Sequence, residues 1–233
     1  MYSGCRRRRA GLCAGADRLL VCIRKGSERS MKVYIVRHGQ TDLNKAHRVQ
    51  GRMNTHLNEL GIRQAEELAE AIRNKGLTFD RIYSSPLDRA LQTCEIATGK
   101  PRTDFIIDER LIEFDFGDLE GDEYSALPGK SKYFFTRPDL FEPTGKGETF
   151  EELIARVKGF LEELKTVEAD SVLLASHGAA IHAMLLLFKN KQLRDFWDED
   201  VHNCDLIIVD LTDGRYTVEP EKIEIDRSGI GFL

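Results

Sequence analysis

Three times in this chain an apolar run stops and polar residues follow at once. Arg37-His38-Gly39 ends residues 33–36, Ser84-Ser85 is followed four positions later by Arg89, and Ser176-His177-Gly178 ends residues 172–175. Two guanidinium groups suit an anion, because their planar forks match the oxygens of a phosphate or carboxylate. The imidazoles add a second capability. A neutral ring already presents one unprotonated nitrogen, so it can act as a nucleophile near neutral pH without a strong base. Taken alone, a strand-end Arg or His is more often a surface or capping residue, so the chemistry depends on whether the three places meet.

The surrounding pattern says that they do. From Met31 onward, strand-like and helix-like segments alternate, which is the signature of a layered α/β structure. Residues 32–36 read as a buried strand. Residues 58–75 place Ile62, Ala65, Leu68, Ala69 and Ile72 on one helical face, with Gly76 as the stop. Residues 80–84 form the next strand, and Ser85 is expected to N-cap a helix with Pro86 at its first position and Asp88 completing a capping box. Residues 105–107 are a short third strand. Residues 122–148, which hold Pro128, Pro138, Pro143 and a cluster of aromatics, read as an excursion over the sheet.

Thr149 and Glu152 form a capping box for a helix to about Val167. Residues 171–176 are the most apolar strand, and a helix follows over 179–188. Residues 205–211 and 215–218 flank Asp213-Gly214 as an edge hairpin. In a parallel α/β sheet the carboxyl ends of the strands share one edge, and the helices that follow direct their N-terminal N–H groups toward it. Both His-Gly pairs and Arg89 therefore converge on an anion-attracting edge, which leans toward phosphate.

Composition narrows the alternatives. The chain has 233 residues and a net charge of −5, but residues 1–30 carry eight Lys/Arg against two Asp/Glu, leaving residues 31–233 at −11. An acidic body is a poor nucleic-acid binder. Cys5, Cys13 and Cys22 lie in the basic leader, while Cys94 and Cys204 stand far apart. Neither group has disulfide-framework or zinc spacing, which points to a reducing cytoplasm. No run approaches the roughly 18 apolar residues of a membrane span. The leader is read first as an extension outside the fold or a misassigned start, with a targeting segment and a functional basic arm as the other readings. Residues 31–233 are taken as one domain.

Five ordered stretches carry a resemblance. "RHGQTDLN" (residues 37–44), "SSPLDRALQT" (84–93), "LIEFDFGDLEG" (111–121), "GETFEE" (147–152) and "SHG" (176–178) resemble the successive motifs of the histidine phosphatase superfamily, the phosphoglycerate-mutase-like enzymes. The resemblance covers residues 31–211. It implies a three-layer sandwich, with a mostly parallel sheet flanked by helices, and a phosphohistidine mechanism with no metal and no cofactor. His38 is then the nucleophile, with Gly39 holding its other ring nitrogen by a backbone carbonyl. Arg37, Arg89 and His177 cradle the phosphoryl oxygens in a loose transition state. Glu113, in the position of the family's L-x-E-x-x-x-G, is the general acid and later the base.

Asn44 matches a phosphate-contacting asparagine. Thr41, Arg48, Glu148 and Gly178 join Gly39 and Asn44 as substrate-binding candidates. Asp108, Glu109, Asp115, Asp118 and Glu120 crowd the same loop as Glu113 and compete with it for the acid role. His47, His56, His182 and His202 are expected to be structural or exposed, although His182, five residues beyond His177, could line the pocket. No His-x₃-His or carboxylate pairing suggests a metal site. Phe134 and Phe135 are expected to pack as core or cap.

After Gln50-Gly51-Arg52 the family commonly has an aspartate and a proline. This chain has Met53-Asn54-Thr55-His56-Leu57, which bears on substrate preference. The expected activity is hydrolysis of a small phosphate ester. A mutase-type phosphotransferase, which must shield phosphohistidine from water and in the family goes with larger insertions, is the alternative, followed by a silent binding module of the same fold. The oligomeric state is not legible.

Overall fold

A computed structural model describes residues 30–220 and 222–225. The basic leader and its three cysteines lie outside the described residues. Strand β1 (Ser30–Arg37) is followed by a one-turn helix α1 (Asp42–Lys45), helix α2 (Glu59–Asn74), strand β2 (Arg81–Ser84), helix α3 (Asp88–Thr98) and the two-residue strand β3 (Ile106–Ile107). Helix α4 (Phe150–Leu164), strand β4 (Ser171–Ser176), helix α5 (Gly178–Phe188) and strands β5 (Leu206–Thr212) and β6 (Arg215–Val218) complete the order.

The six strands form one sheet in the order β3-β2-β4-β1-β5-β6. Strands β3, β2, β4 and β1 run parallel, and β5 and β6 pair antiparallel at the edge. This is the α/β layering that the alternating pattern predicts and the mostly parallel sandwich that the resemblance implies. Successive strand residues point to opposite faces, so β1 sends Val33 and Ile35 into a core shared with α4 and α5. Tyr34 and Val36 enter a second core shared with α2 and α3. The same division holds in β4, where Val172 and Leu174 face the first core and Leu173 and Ala175 the second. A strand buried on both faces reads as continuous apolar sequence, which is why "VLLA" has no alternation.

Asn58 caps α2 by accepting from Gly61 N, and Gly76 lies at φ +64° just beyond its end. The Thr149/Glu152 capping box is present at α4, which ends at Leu164 rather than near Val167. Asp213 and Gly214 both take positive φ, as a two-residue hairpin turn requires. Two expectations need correction. Ser85 does not cap a helix: α3 begins at Asp88 with Leu87 as its N-cap residue, so Pro86 lies outside the helix. Ile62 is 38% exposed, while Ala65, Leu68, Ala69 and Ile72 are buried as expected. The first turn of α2 is instead pressed against the chain after β1 through Gly61, where a Cβ would lie 2.1 Å from Gln40 O.

Five 3₁₀ turns follow β3, Glu109–Leu111, Gly117–Leu119, Tyr124–Ala126, Ser131–Tyr133 and Pro138–Leu140, the last three within the expected excursion over residues 122–148. Phe134 plugs it onto the first core, with ring centroids 4.6–5.4 Å from Phe116, Phe114, Phe150, Trp197 and Phe141. Phe134 therefore packs in the core as expected.

Candidate active site

The register of the two central parallel strands decides the site. Arg37 of β1 pairs with Ser176 of β4, so the residues that follow, His38 and His177, emerge side by side. Their ring centroids are 5.1 Å apart. His38 N donates to Ser176 O at 3.1 Å, which locks the two strand ends together. On the other side of β4, Ser85 N donates to Ala175 O at 3.0 Å and carries the β2 end to the same place.

Each imidazole is held by partners that settle its tautomer. His38 Nδ1 lies 2.7 Å from Gly39 O. A carbonyl can only accept, so Nδ1 carries the proton and Nε2 keeps its lone pair. Gly39 is glycine for a further reason: a Cβ there would lie 2.5 Å from Gly61 O, where α2 approaches. His177 Nδ1 accepts from Arg89 Nε at 3.2 Å, which leaves the His177 proton on Nε2, 2.7 Å from Ser85 Oγ. The hydroxyl expected to cap a helix serves an imidazole instead.

The remaining forks of Arg89 donate to Gly51 O and Met53 O, both at 2.7 Å. The loop that departs from the family pattern therefore holds Arg89 by main-chain carbonyls, which any side-chain sequence supplies. Burial pulls Arg89 down to about 10, with Glu113 opposing it, so the guanidinium stays protonated at neutral pH. Burial first, then Arg89, pushes both His38 and His177 well below the usual imidazole value. Both rings are neutral at pH 7. They are also almost closed off, at 2% and 0% exposure.

Arg37 donates through Nη1 to Val201 O at 2.8 Å, while its buried Nε has no partner. The Glu113 carboxylate accepts from Phe114 N at 2.8 Å and from Ala179 N at 3.1 Å, so it lies at the positive end of α5. Gly178 lies between these groups: a Cβ there would be 3.6 Å from Glu113 Oε2 and 3.7 Å from the Arg37 guanidinium carbon. Beside the histidines opens a cavity of about 510 Å³, with Arg37, Glu113, Asn44 and Gly178 in its lining.

Three of the five other acids near Glu113 are occupied elsewhere. Asp108 pairs with Arg110 at 2.6 Å, Asp115 with Arg52 at 3.1 Å, and Glu120 accepts from Arg52 N at 2.6 Å. Asn44 and Thr41 form a reciprocal capping box for α1, and Thr41 is fully buried. Of the candidates, Arg37, Glu113, Asn44 and Gly178 line the cavity, while His38, His177, Arg89, Gly39 and Thr41 lie behind its wall and Arg48 and Glu148 are engaged elsewhere. Arg48 is exposed and donates to Gly121 O at 2.7 Å. Glu148 is clamped by Arg156, with Nε to Oε1 at 2.6 Å and Nη2 to Oε2 at 3.0 Å. That same guanidinium donates to the carbonyls of Arg110, Ile112 and Glu113, so Glu148 acts on the segment that presents Glu113.

Sequence reasoning underweighted the far side. His47, His182 and His202 all line the cavity, together with Tyr124, Trp197 and Asn203. Asn203 Nδ2 donates to His38 O at 2.7 Å. A signal for it exists: β5 runs antiparallel, so the residues before its start, not those after its end, reach the active edge. Among the described residues no group of three or more His, Cys, Asp or Glu side chains is placed to hold a metal ion. No helix there is long and apolar enough to cross a membrane.

A pair of neutral imidazoles thus stands beside a buried Arg89 and a half-buried Arg37 at this parallel strand edge. The histidine phosphatase superfamily (branch 1) profile matches residues 33–222, and the chain belongs to that superfamily. A Proteus mirabilis protein named "Probable phosphoglycerate mutase GpmB" is 38% identical over 206 residues, covering 83% of this chain and 91% of its own. The structure of phosphoserine phosphatase from Entamoeba histolytica in complex with 3-phosphoglyceric acid is 26% identical with a TM-score of 0.71, over 83% of this chain and 97% of that one. A mycobacterial glucosyl-3-phosphoglycerate phosphatase is 26% identical with a TM-score of 0.69, over 82% and 98% respectively.

Proposed function

We propose that this chain is a phosphomonoesterase that hydrolyses a small phosphorylated metabolite through a phosphohistidine at His38. The observation that carries this reading is the tautomer of His38: Nδ1–H is spent on Gly39 O, so Nε2 offers a lone pair at neutral pH. In the first step Nε2 forms a bond to phosphorus as the ester P–O bond breaks, and Glu113 gives its proton to the departing alkoxide. In the second, Glu113 takes a proton from water, the water oxygen bonds to phosphorus, and the P–N bond breaks to return neutral His38.

Arg37 and Arg89 balance the charge on the phosphoryl oxygens, and the Nε2–H of His177 joins them by turning from Ser85 Oγ, to which it donates in the resting protein. Asn44 and Gly178, at the cavity wall, complete the phosphate end. The mutase reading is favoured by the name of the Proteus relative. It differs only in who receives the phosphoryl group: an isomerised ester would accumulate instead of free phosphate.

Rapid quenching with labelled substrate tests the proposal. An acid-labile, base-stable label should appear on the protein and vanish in His38→Ala. Label that persists in His38→Ala, or that sits on a serine, defeats the reading.

A further inference from the structure

The phosphoryl end explains only half of the cavity. Three buried side-chain nitrogens in its lining have no hydrogen-bond partner, Arg37 Nε, His182 Nδ1 and His202 Nδ1, the last of which lies 3.4 Å from the Asp205 carboxylate. A buried polar atom left unpaired destabilises a protein by about 1–3 kcal/mol, so each asks for a reason. Arg37 Nε has one in the phosphoryl group. His182 is not part of that chemistry, yet it is only 6% exposed and its ring packs edge-on against Trp197 at 4.6 Å.

Around His182 the wall is aromatic. Phe135 stands 5.0 Å from Trp197 and 4.9 Å from Tyr124, and it is 44% exposed although it lines a cavity. The charges on this wall are acidic: Glu199, ion-paired with Lys189 and Lys191, and Asp200 at the rim. Among the described residues in the lining, Arg37 is the one Lys or Arg, and the phosphoryl group claims it. A substrate bearing a carboxylate, such as the 3-phosphoglyceric acid bound by the Entamoeba relative, would leave that carboxylate facing Asp200 and a Glu199 whose partners, Lys189 and Lys191, are not part of the lining. Burying an unpaired charge beside like charges is unfavourable.

We propose that the organic part of the substrate is uncharged and carries a ring and a hydroxyl, the ring seated on Phe135, Trp197 and Tyr124 and the hydroxyl bonded to His182 Nδ1. A hydroxyl both donates and accepts, so it satisfies His182 in either tautomer. The inference rests on the phosphoryl end lying at His38, and it names what the rest of the cavity selects.

Phosphonates separate binding from turnover. At pH 8, where free imidazole is neutral, calorimetry would compare 2-(4-hydroxyphenyl)ethylphosphonate, 2-phenylethylphosphonate and 2-carboxyethylphosphonate on the full chain. The hydroxyphenyl compound should bind at least about tenfold tighter than the carboxyethyl one and several-fold tighter than the phenyl one. His182→Phe should erase the advantage of the hydroxyl. Equal or tighter binding of the carboxyethyl compound, no binding of any phosphonate, or a hydroxyl advantage that survives His182→Phe would overturn the inference. The comparison with the carboxylate needs only the unsubstituted protein. Tight binding of the hydroxyphenyl compound with no phosphate released from its phosphate ester would uphold the inference and defeat the phosphatase reading instead.

Discussion

Replacing Arg156 by methionine tests whether Glu113 is held from behind. Arg156 lies on α4 with its side chain only 15% exposed, facing a Glu148 that is 8% exposed. Its guanidinium makes a two-pronged bond to Glu148 and donates to Arg110 O at 2.8 Å, Ile112 O at 2.7 Å and Glu113 O at 3.1 Å. Methionine keeps the length and removes every donor. Glu148 would then be a buried carboxylate left with Arg52 at 3.7 Å and the Asp115 N–H at 3.3 Å, and three carbonyls would lose a partner.

Removing one member of a buried ion pair typically destabilises by about 3–5 kcal/mol, and the hydrogen bonds inside that pair are not additive with it. The expected loss for Arg156→Met is therefore about 3–5 kcal/mol, read from urea unfolding followed by two probes. Arg156→Met with Glu148→Met removes both charges and should recover about 2 kcal/mol or more of that loss. The activity change should fall on kcat more than on KM, because the segment freed is the one that carries the acid. A loss under about 1 kcal/mol, or a double variant no better than the single one, would refute the argument that this pair braces the acid.

Three further outcomes follow from the same geometry. Glu113→Gln should slow hydrolysis of an alkyl phosphate by about 10²–10⁴ and of an aryl phosphate with an acidic phenol far less, whereas Asp115→Asn and Glu120→Gln should show no such leaving-group dependence; a dependence that follows either of those residues would place the acid there. Burial lowers His182 to about 4, so the unfolded chain binds a proton below about pH 6.5 that the folded chain refuses until about pH 4. Stability should therefore fall as pH drops through that window, and His182→Phe should flatten the slope by up to about 1.4 kcal/mol per pH unit, with an unchanged slope contradicting the burial argument. Hydrolysis should survive exhaustive chelation, and a complete loss restored by one divalent ion would show that the cationic cradle does not act alone.

The meeting of His38 and His177 was legible because one local fact, a polar residue at the end of an apolar strand, coincides there with one global rule about parallel sheets. His38 and His177 stand 139 positions apart, yet the pairing of Arg37 with Ser176 follows from two short buried strands that both run in one direction. Ser85 shows where such reading breaks. Its local sequence satisfies every rule for a helix cap, and a tertiary partner, His177 Nε2 at 2.7 Å, claimed the hydroxyl. Glu148 broke differently: a motif position marked it for the substrate, and Arg156, about two turns into the next helix, took its carboxylate. The far wall was illegible for a third reason. Phe135, Trp197 and His202 lie in turns between elements, where no period ties a residue to a face.

The electrostatics join these parts. The body of the chain is strongly acidic, which by itself would repel a phosphate, but the field that a buried group feels is set by its neighbours more than by net charge. Arg89, without exposure, keeps its proton because Glu113 opposes the effect of burial. The same arginine and the same burial strip His38 and His177 of theirs. One desolvated pocket thus holds guanidinium charged and imidazole neutral at a single pH, which is possible because their ordinary values differ by about six units. A lysine in place of Arg89, with a lower starting value and no fork, would meet neither demand: burial alone can neutralise it, and it cannot bond Gly51 O, Met53 O and His177 Nδ1 in one plane. The neutrality of His38 on which the proposed phosphoryl transfer depends is therefore owed first to burial and then to Arg89, while Gly39 O fixes its tautomer.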